Sequence, residues 1–363
     1  MRWALLIAAA VMPGLHAEWI RLASPNFEFY TELPERQARE TLDAFERARD
    51  FLFRVKPFKM NSPLPVTLVG FASTKAYAPY ATDVIKPAYY TGDAEHDYIV
   101  MGYLGNNSSW VAVHEYVHLL VRHSGLDIPL WLNEGLADVY STIETRDGRI
   151  VVGASPKGRV QTLTRDKWLR LDEVADADTK SKAYNSLIAA PVYYAESWLL
   201  THMLMFRDEY STRFPAFLER LDALGSSRQA FVEVYKKSLA QVQGDMNLYF
   251  RRSFDGTPSG EAGSRPVEIA PSRPATELEI GLTFARVQRL IGRAEESETQ
   301  LEKLAAAYPG NAEIEAARER LVIPAAQPPR TETRPAPTER TPLPPAEENT
   351  ASDRPVLRRG KQR

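Results

Sequence analysis

The run Trp110-Val111-Ala112-Val113-His114-Glu115-Tyr116-Val117-His118-Leu119-Leu120 constrains the fold more than any other stretch of this chain. Asn106-Asn107-Ser108-Ser109 before it offers helix caps and Ser124-Gly125 after it offers a stop, so a helix is predicted between them. On a helix, His114 and His118 stand one turn apart on one face. The remaining faces carry Val, Ala, Tyr and Leu, so the helix has to be buried. Two imidazoles at that spacing can grip one Zn²⁺. Glu115, next to the first of them, can reach a water on that ion rather than the ion itself.

A second segment, Trp131-Leu132-Asn133-Glu134-Gly135-Leu136-Ala137-Asp138-Val139-Tyr140, reads as a short helix carrying two carboxylates. Glu134 can supply a third ligand. Asp138, one turn on, is placed to accept the second N–H of a ligand imidazole, a partner that metal-bound histidines usually have. Asp127-Ile128-Pro129-Leu130 is a tight connection that turns this helix toward the His pair.

His114-Glu115-x-x-His118 followed by Glu134-Gly135-Leu136-Ala137-Asp138 resembles the gluzincin metallopeptidases, in particular the peptidase MA-like family, over residues 27–251. The resemblance implies a zincin-like α+β fold with a mixed sheet-helix lobe and a helical lobe, and a cleft between them floored by the metal helix. It implies Zn²⁺ held by His114, His118 and Glu134, Glu115 as general base, Asp138 behind the ligands, and a peptide or protein substrate. It also implies that the strand before the metal helix, around Met101-Gly102-Tyr103, is a sheet edge that pairs with extended substrate. The gap between His118 and Glu134 is shorter than in the thermolysin-like and aminopeptidase branches. In the helical segment opened by Pro191, a phenol can hydrogen-bond the oxyanion of a tetrahedral intermediate. The family's Tyr-x-x-Ser pattern is matched there by Tyr194 and Ser197, with Tyr193 as the nearest competitor. The metzincin pattern is not met, because Val121 and Ser124 stand where it needs Gly and His. His123 falls off the metal face and reads as a helix-terminal cation or polar cap, and His202, two turns beyond Tyr194 on the same helical face, is too far along for the same atom and reads as a packing or polar residue.

The 363 residues contain no cysteine, which excludes disulfides, thiolate metal sites and cysteine nucleophiles. A formal net charge of −2 gives no basic surplus for nucleic acid. Met1-Arg2 followed by apolar residues 3–11 reads as a secretory signal over 1–17, which would deliver the mature protein to the periplasm or the outside. No later stretch is long and apolar enough to span a membrane.

Alternating or apolar runs at 27–31, 66–71, 97–101 and 149–152 predict strands. Ala38, Leu42, Phe45 and Leu52 predict an amphipathic helix after Pro34. Residues 76–93 read as a loop, and 176–182 as a solvated loop leading into a helix. A peptidase domain is expected over 18–252 and a Gly/Ser/Pro linker over 253–274. Residues 275–322 resemble a tetratricopeptide-like helical segment, and 323–363 are expected to form a disordered Pro-rich tail. The helical segment has to dock on the enzyme lobe or on a protein partner. In the rival reading the metal lobe is catalytically silent and the chain acts as a scaffold through these helices and the tail.

Overall fold

Six strands form the larger sheet of the computed structural model, which describes residues 18–54, 64–82, 87–102, 108–261 and 267–322. Strands β1 (Ile20–Ala23) and β2 (Phe27–Thr31) make an antiparallel hairpin. Helix α1 (Glu35–Arg54) follows and buries the predicted stripe Ala38, Leu42, Phe45 and Leu52. Strand β3 (Val66–Gly70) then joins β2 in parallel. This β-α-β crossover carries α1 over one face of the sheet.

The described residues of 76–93, a segment expected as a loop, include regular secondary structure. They hold the end of α2 (Thr74–Tyr77), a 3₁₀ turn (Ala78–Tyr80) and strand β4 (Ala88–Gly92). A tight turn at 93–96 returns the chain as β5 (Asp97–Met101), antiparallel to β4 and parallel to β3. The sheet order is therefore β4-β5-β3-β2-β1-β9, where β9 is Arg273–Pro274. The expectation that 101–103 forms the sheet edge is thus overturned: β5 is interior and β4 is the edge. The chain order of a hairpin does not dictate which of its arms lies outermost.

Helix α3 (Ser108–Ser124) crosses the same sheet face as α1, and α4 (Leu130–Ser141) folds back against it. A three-stranded sheet follows: β6 (Glu144–Arg146), β7 (Arg149–Ala154) and β8 (Asp255–Glu261), in the order β6-β7-β8. Between β7 and β8 lie α5 (Arg159–Arg165), α6 (Leu171–Ala175), α7 (Lys182–Asn185), α8 (Ala189–Phe206), α9 (Asp208–Ser211), α10 (Phe214–Leu224), α11 (Ser227–Ala230), a π turn (Phe231–Tyr235) and α12 (Leu239–Tyr249). Helix α8 is apolar nearly all round, so it has to run through the middle of this lobe, and Tyr193, Trp198, Leu199 and Leu200 are fully enclosed. His202 is also interior, between the Gly153 carbonyl and the Tyr249 hydroxyl at 2.8 Å each, a polar packing role rather than a ligand's.

The expected linker instead contributes β8 and β9 to the two sheets. Helices α13 (Glu277–Leu290), α14 (Ala294–Ala307) and α15 (Ala312–Val322) pack together around Leu282, Leu301, Leu304 and Ile314. Helix α13 covers the sheet face opposite α1 and α3. Phe284 meets Tyr80, Trp19 and Phe71 at ring distances of 4.3, 5.2 and 5.8 Å, and Val287 joins Val69, Tyr98 and Val100. Arg293 donates to the Pro79 and Ala81 carbonyls. The helical segment thus docks on the lobe that carries the sheet.

The chain is a mixed α+β protein with two sheets among its described residues, and no helix there is long and apolar enough to cross a membrane. The expected signal (1–17), the tail (323–363), Tyr103 and the caps Asn106 and Asn107 lie outside the described residues.

Candidate metal centre

Helix α3 presents His114 and His118 toward α4, which presents Glu134 and Asp138 one turn apart. Helix α4 comes this close to α8 because residue 135 is glycine. A Cβ there would lie 2.4 Å from the Ser197 carbonyl oxygen and 2.0 Å from the Thr201 hydroxyl. At the far end of α3, His123 bonds the buried Asp97 carboxylate of β5 at 2.7 Å and ties the helix to the sheet.

Three atoms converge. The Nε2 atoms of His114 and His118 are 3.1 Å apart, and the Glu134 Oε2 oxygen lies 3.4 Å from the first and 3.5 Å from the second. A tetrahedral ion with bonds of about 2.0–2.1 Å holds its ligand atoms about 3.3–3.4 Å apart. The triangle therefore has the size of one face of such a coordination shell. Among the described residues, His114, His118 and Glu134 form the group that could hold a metal ion.

Each ligand atom is backed by a second contact. His118 Nδ1 is 2.9 Å from Asn133 Oδ1, and His114 Nδ1 is 3.1 Å from Asp138 Oδ1. Arg159 grips Asp138 with two donors, Nε at 2.6 Å and Nη2 at 3.2 Å. Tyr184 donates its hydroxyl to Glu134 Oε1 at 3.2 Å. These partners fix the imidazole rings and turn their Nε2 atoms to the common point.

The electrostatics at that point favour a cation. Burial works against a charged imidazole, yet Asp138, Glu134 and Glu115 outweigh it and push His114 up to about 10. His118 is raised as well, chiefly by Glu134 working against the same burial. Burial works against ionised Glu134, but the two histidines hold it well below the ordinary carboxylate range. Asp138 is likewise lowered, by Arg159 and His114 against burial. With both imidazoles in the neutral form that ligates a metal, Glu115, Glu134 and Asp138 would set three negative charges against the one of Arg159, which leaves two for a divalent ion to balance.

Tyr194 is brought to the same region. Its ring lies under the Arg159 guanidinium at 5.2 Å and 5.7 Å from the ring of Tyr184. Burial and the Glu134 charge raise it far above a free tyrosine. Tyr193 is fully enclosed, whereas Tyr194 is partly exposed. Glu115, also partly exposed, is near enough for its charge to act on His114, His118, Tyr90 and Tyr184.

Sequence reasoning missed Asn133, Arg159 and Tyr184. Asn133 had a signal, since it directly precedes Glu134 on one helix. Arg159 had none, because it follows Gly158 at the start of α5 and meets Asp138 only through tertiary packing. Tyr184 had none either, because it lies just past the solvated run 176–182 and meets Glu134 only through tertiary packing. A fourth feature is the edge strand. The Gly102 N–H bonds the Pro87 carbonyl and the Asp93 N–H bonds that of His96, so Tyr89 and Thr91 exchange bonds with β5. Tyr90 therefore turns its N–H and C=O to the outer edge, while its ring lies 6.1 Å from that of His118.

No protein-family model and no curated protein matches this chain.

Proposed function

We propose that this chain is a zinc-dependent peptidase of gluzincin type, periplasmic or secreted, that hydrolyses peptide bonds in a peptide or protein substrate. The observation that carries the reading is the His114–His118–Glu134 triangle, whose edges of 3.1, 3.4 and 3.5 Å suit a tetrahedral ion. Two imidazoles and one carboxylate suit zinc, and three protein ligands leave one position for chemistry. When bound, Zn²⁺ would supply a Lewis acid that polarises the scissile carbonyl and brings a water's pKa toward neutrality.

The chain's own residues supply the rest. Glu115 takes a proton from the attacking water on its carboxylate and returns it to the departing amine. Tyr194, the phenol of the 193–194 pair that is open to the site, donates to the developing oxyanion. Asp138, steadied by Arg159, keeps the His114 ring in one orientation. An extended substrate adds to the free edge of β4, where the Tyr90 N–H and C=O face outward beside His118. The apolar amino-terminal run supports export.

The test of the reading is Glu115→Gln. The variant is expected to keep about one equivalent of zinc and to lose hydrolysis of a peptide library by about 10²–10⁴-fold. Equal hydrolysis by the variant would overturn Glu115 as the base.

A further inference from the structure

We propose that Tyr184 is a positioning residue that sets how Glu134 meets a metal ion: its hydroxyl occupies one carboxylate oxygen and leaves the other as the sole ligand atom. The inference rests on the metal reading above. Glu134 Oε2 faces both imidazole Nε2 atoms, whereas Oε1 accepts the Tyr184 O–H at 3.2 Å. A carboxylate with both oxygens free can close on a cation with both. Here that would fill the position a catalytic site needs open. A donor fixed on Oε1 prevents this closure.

The fold holds Tyr184 for that task. Helix α7 has only four residues and cannot fix a side chain by its own length. The turn before it does so instead. The Ser181 hydroxyl donates to Asp178 Oδ1 at 2.7 Å and accepts from the Asp178 N–H at 2.9 Å, and Asp178 Oδ1 also accepts from the Lys180 N–H. Asn185 Nδ2 closes the other end on the Thr179 and Ser181 carbonyls. The Tyr184 ring is then clamped edge-on to Tyr193 at 5.8 Å and tilted on Tyr194 at 5.7 Å. The one O–H proton of Tyr184 goes to Glu134 Oε1. A ring present only for packing needs neither the hydroxyl nor this direction.

The experiment loads the full chain with Co²⁺ in place of zinc and compares wild type, Tyr184→Phe and Tyr193→Phe by visible absorption. Four-coordinate Co²⁺ absorbs far more strongly than five- or six-coordinate Co²⁺, so intensity reads the number of ligand atoms. Tyr184→Phe keeps the ring and deletes the hydroxyl. It is expected to bind the ion with absorption reduced several-fold, as Glu134 closes with its second oxygen. Tyr193→Phe, which touches the same ring without bonding Glu134, is expected to keep the wild-type spectrum. Matching melting of the metal-free proteins establishes that the ring packing is retained. A wild-type spectrum in Tyr184→Phe overturns the proposal and leaves the metal reading standing, whereas wild type that takes no metal overturns that reading itself.

Discussion

Gly135→Ala is a single methyl group aimed at the joint that brings the ligands together. The new Cβ would lie 2.0 Å from Thr201 Oγ1 and 2.4 Å from the Ser197 carbonyl oxygen. The Thr201 side chain can turn aside, but the carbonyl belongs to the backbone of α8. Ordinary carbon–oxygen contact needs about 3.2 Å, so α4 has to back away by about 0.8 Å. Such overpacking costs about 1–3 kcal/mol, and replacing Gly by Ala within a helix recovers up to about 1 kcal/mol. The net loss is about 1–2 kcal/mol, a melting point lower by about 3–6 °C in the metal-free protein. The larger effect is on metal binding. Glu134 Oε2 starts 3.4 and 3.5 Å from the two imidazole nitrogens. Displaced by about 0.8 Å, it loses the spacing of about 3.3–3.4 Å to both nitrogens that bonds of about 2.0–2.1 Å to a shared ion require. Zinc affinity, measured by competition with a chromophoric chelator, is expected to fall by at least about tenfold. Adding Thr201→Ala should not restore it, because the carbonyl remains. Wild-type zinc affinity in Gly135→Ala would refute the claim that this helix contact sets the ligand geometry.

Glu196 is fully buried and accepts the Leu169 N–H at 3.0 Å, and burial raises it from 4.5 to about 8. A raised carboxyl stabilises the fold fully below pH 4.5 and loses that contribution as pH rises toward 8, by at most about 5 kcal/mol. Urea unfolding from pH 5 to 8 should therefore show Glu196→Gln gaining on wild type as pH rises, and a constant difference would contradict this. His202, lowered by burial to about 4, acts oppositely and loses stability as pH falls from 6.5. That term is common to both proteins and cancels in the comparison. Phe284→Ala removes the ring that meets Trp19, Phe71 and Tyr80, and should cost about 2 kcal/mol at this partly buried site. Hydrogen exchange should rise in β3 and β5 as well as in α13, whereas protection lost in α13 alone would mean the helices are not part of the sheet's packing.

The parts of the site legible in sequence are those set by one helix at a time. His114 and His118, and again Glu134 and Asp138, share a face because four residues make about one turn, and this needs no knowledge of the fold. Gly135 lay in plain view between them, but the need for a glycine appears only with the α8 backbone opposite. Arg159 and Tyr184 reach Asp138 and Glu134 across 21 and 50 residues, through contacts that no local pattern encodes. Strand β4 was obscured by Pro79 and Pro87 beside its Ala-Tyr-Tyr-Thr-Gly run, although the Gly92-Asp93 pair marked the turn into β5. Residues 255–261 read as linker because Gly, Ser and Pro dominate them. Yet a strand needs only backbone partners, and β7 provides them.

Metal content of the freshly purified full chain bears most directly on whether the triangle of His114, His118 and Glu134 holds the ion that drives the chemistry. Elemental analysis should find about one equivalent of zinc per chain, and His114→Ala should lose it while keeping its fold. Wild-type protein that carries no metal and takes up none of an added zinc salt would contradict the metal centre and the peptidase reading built on it.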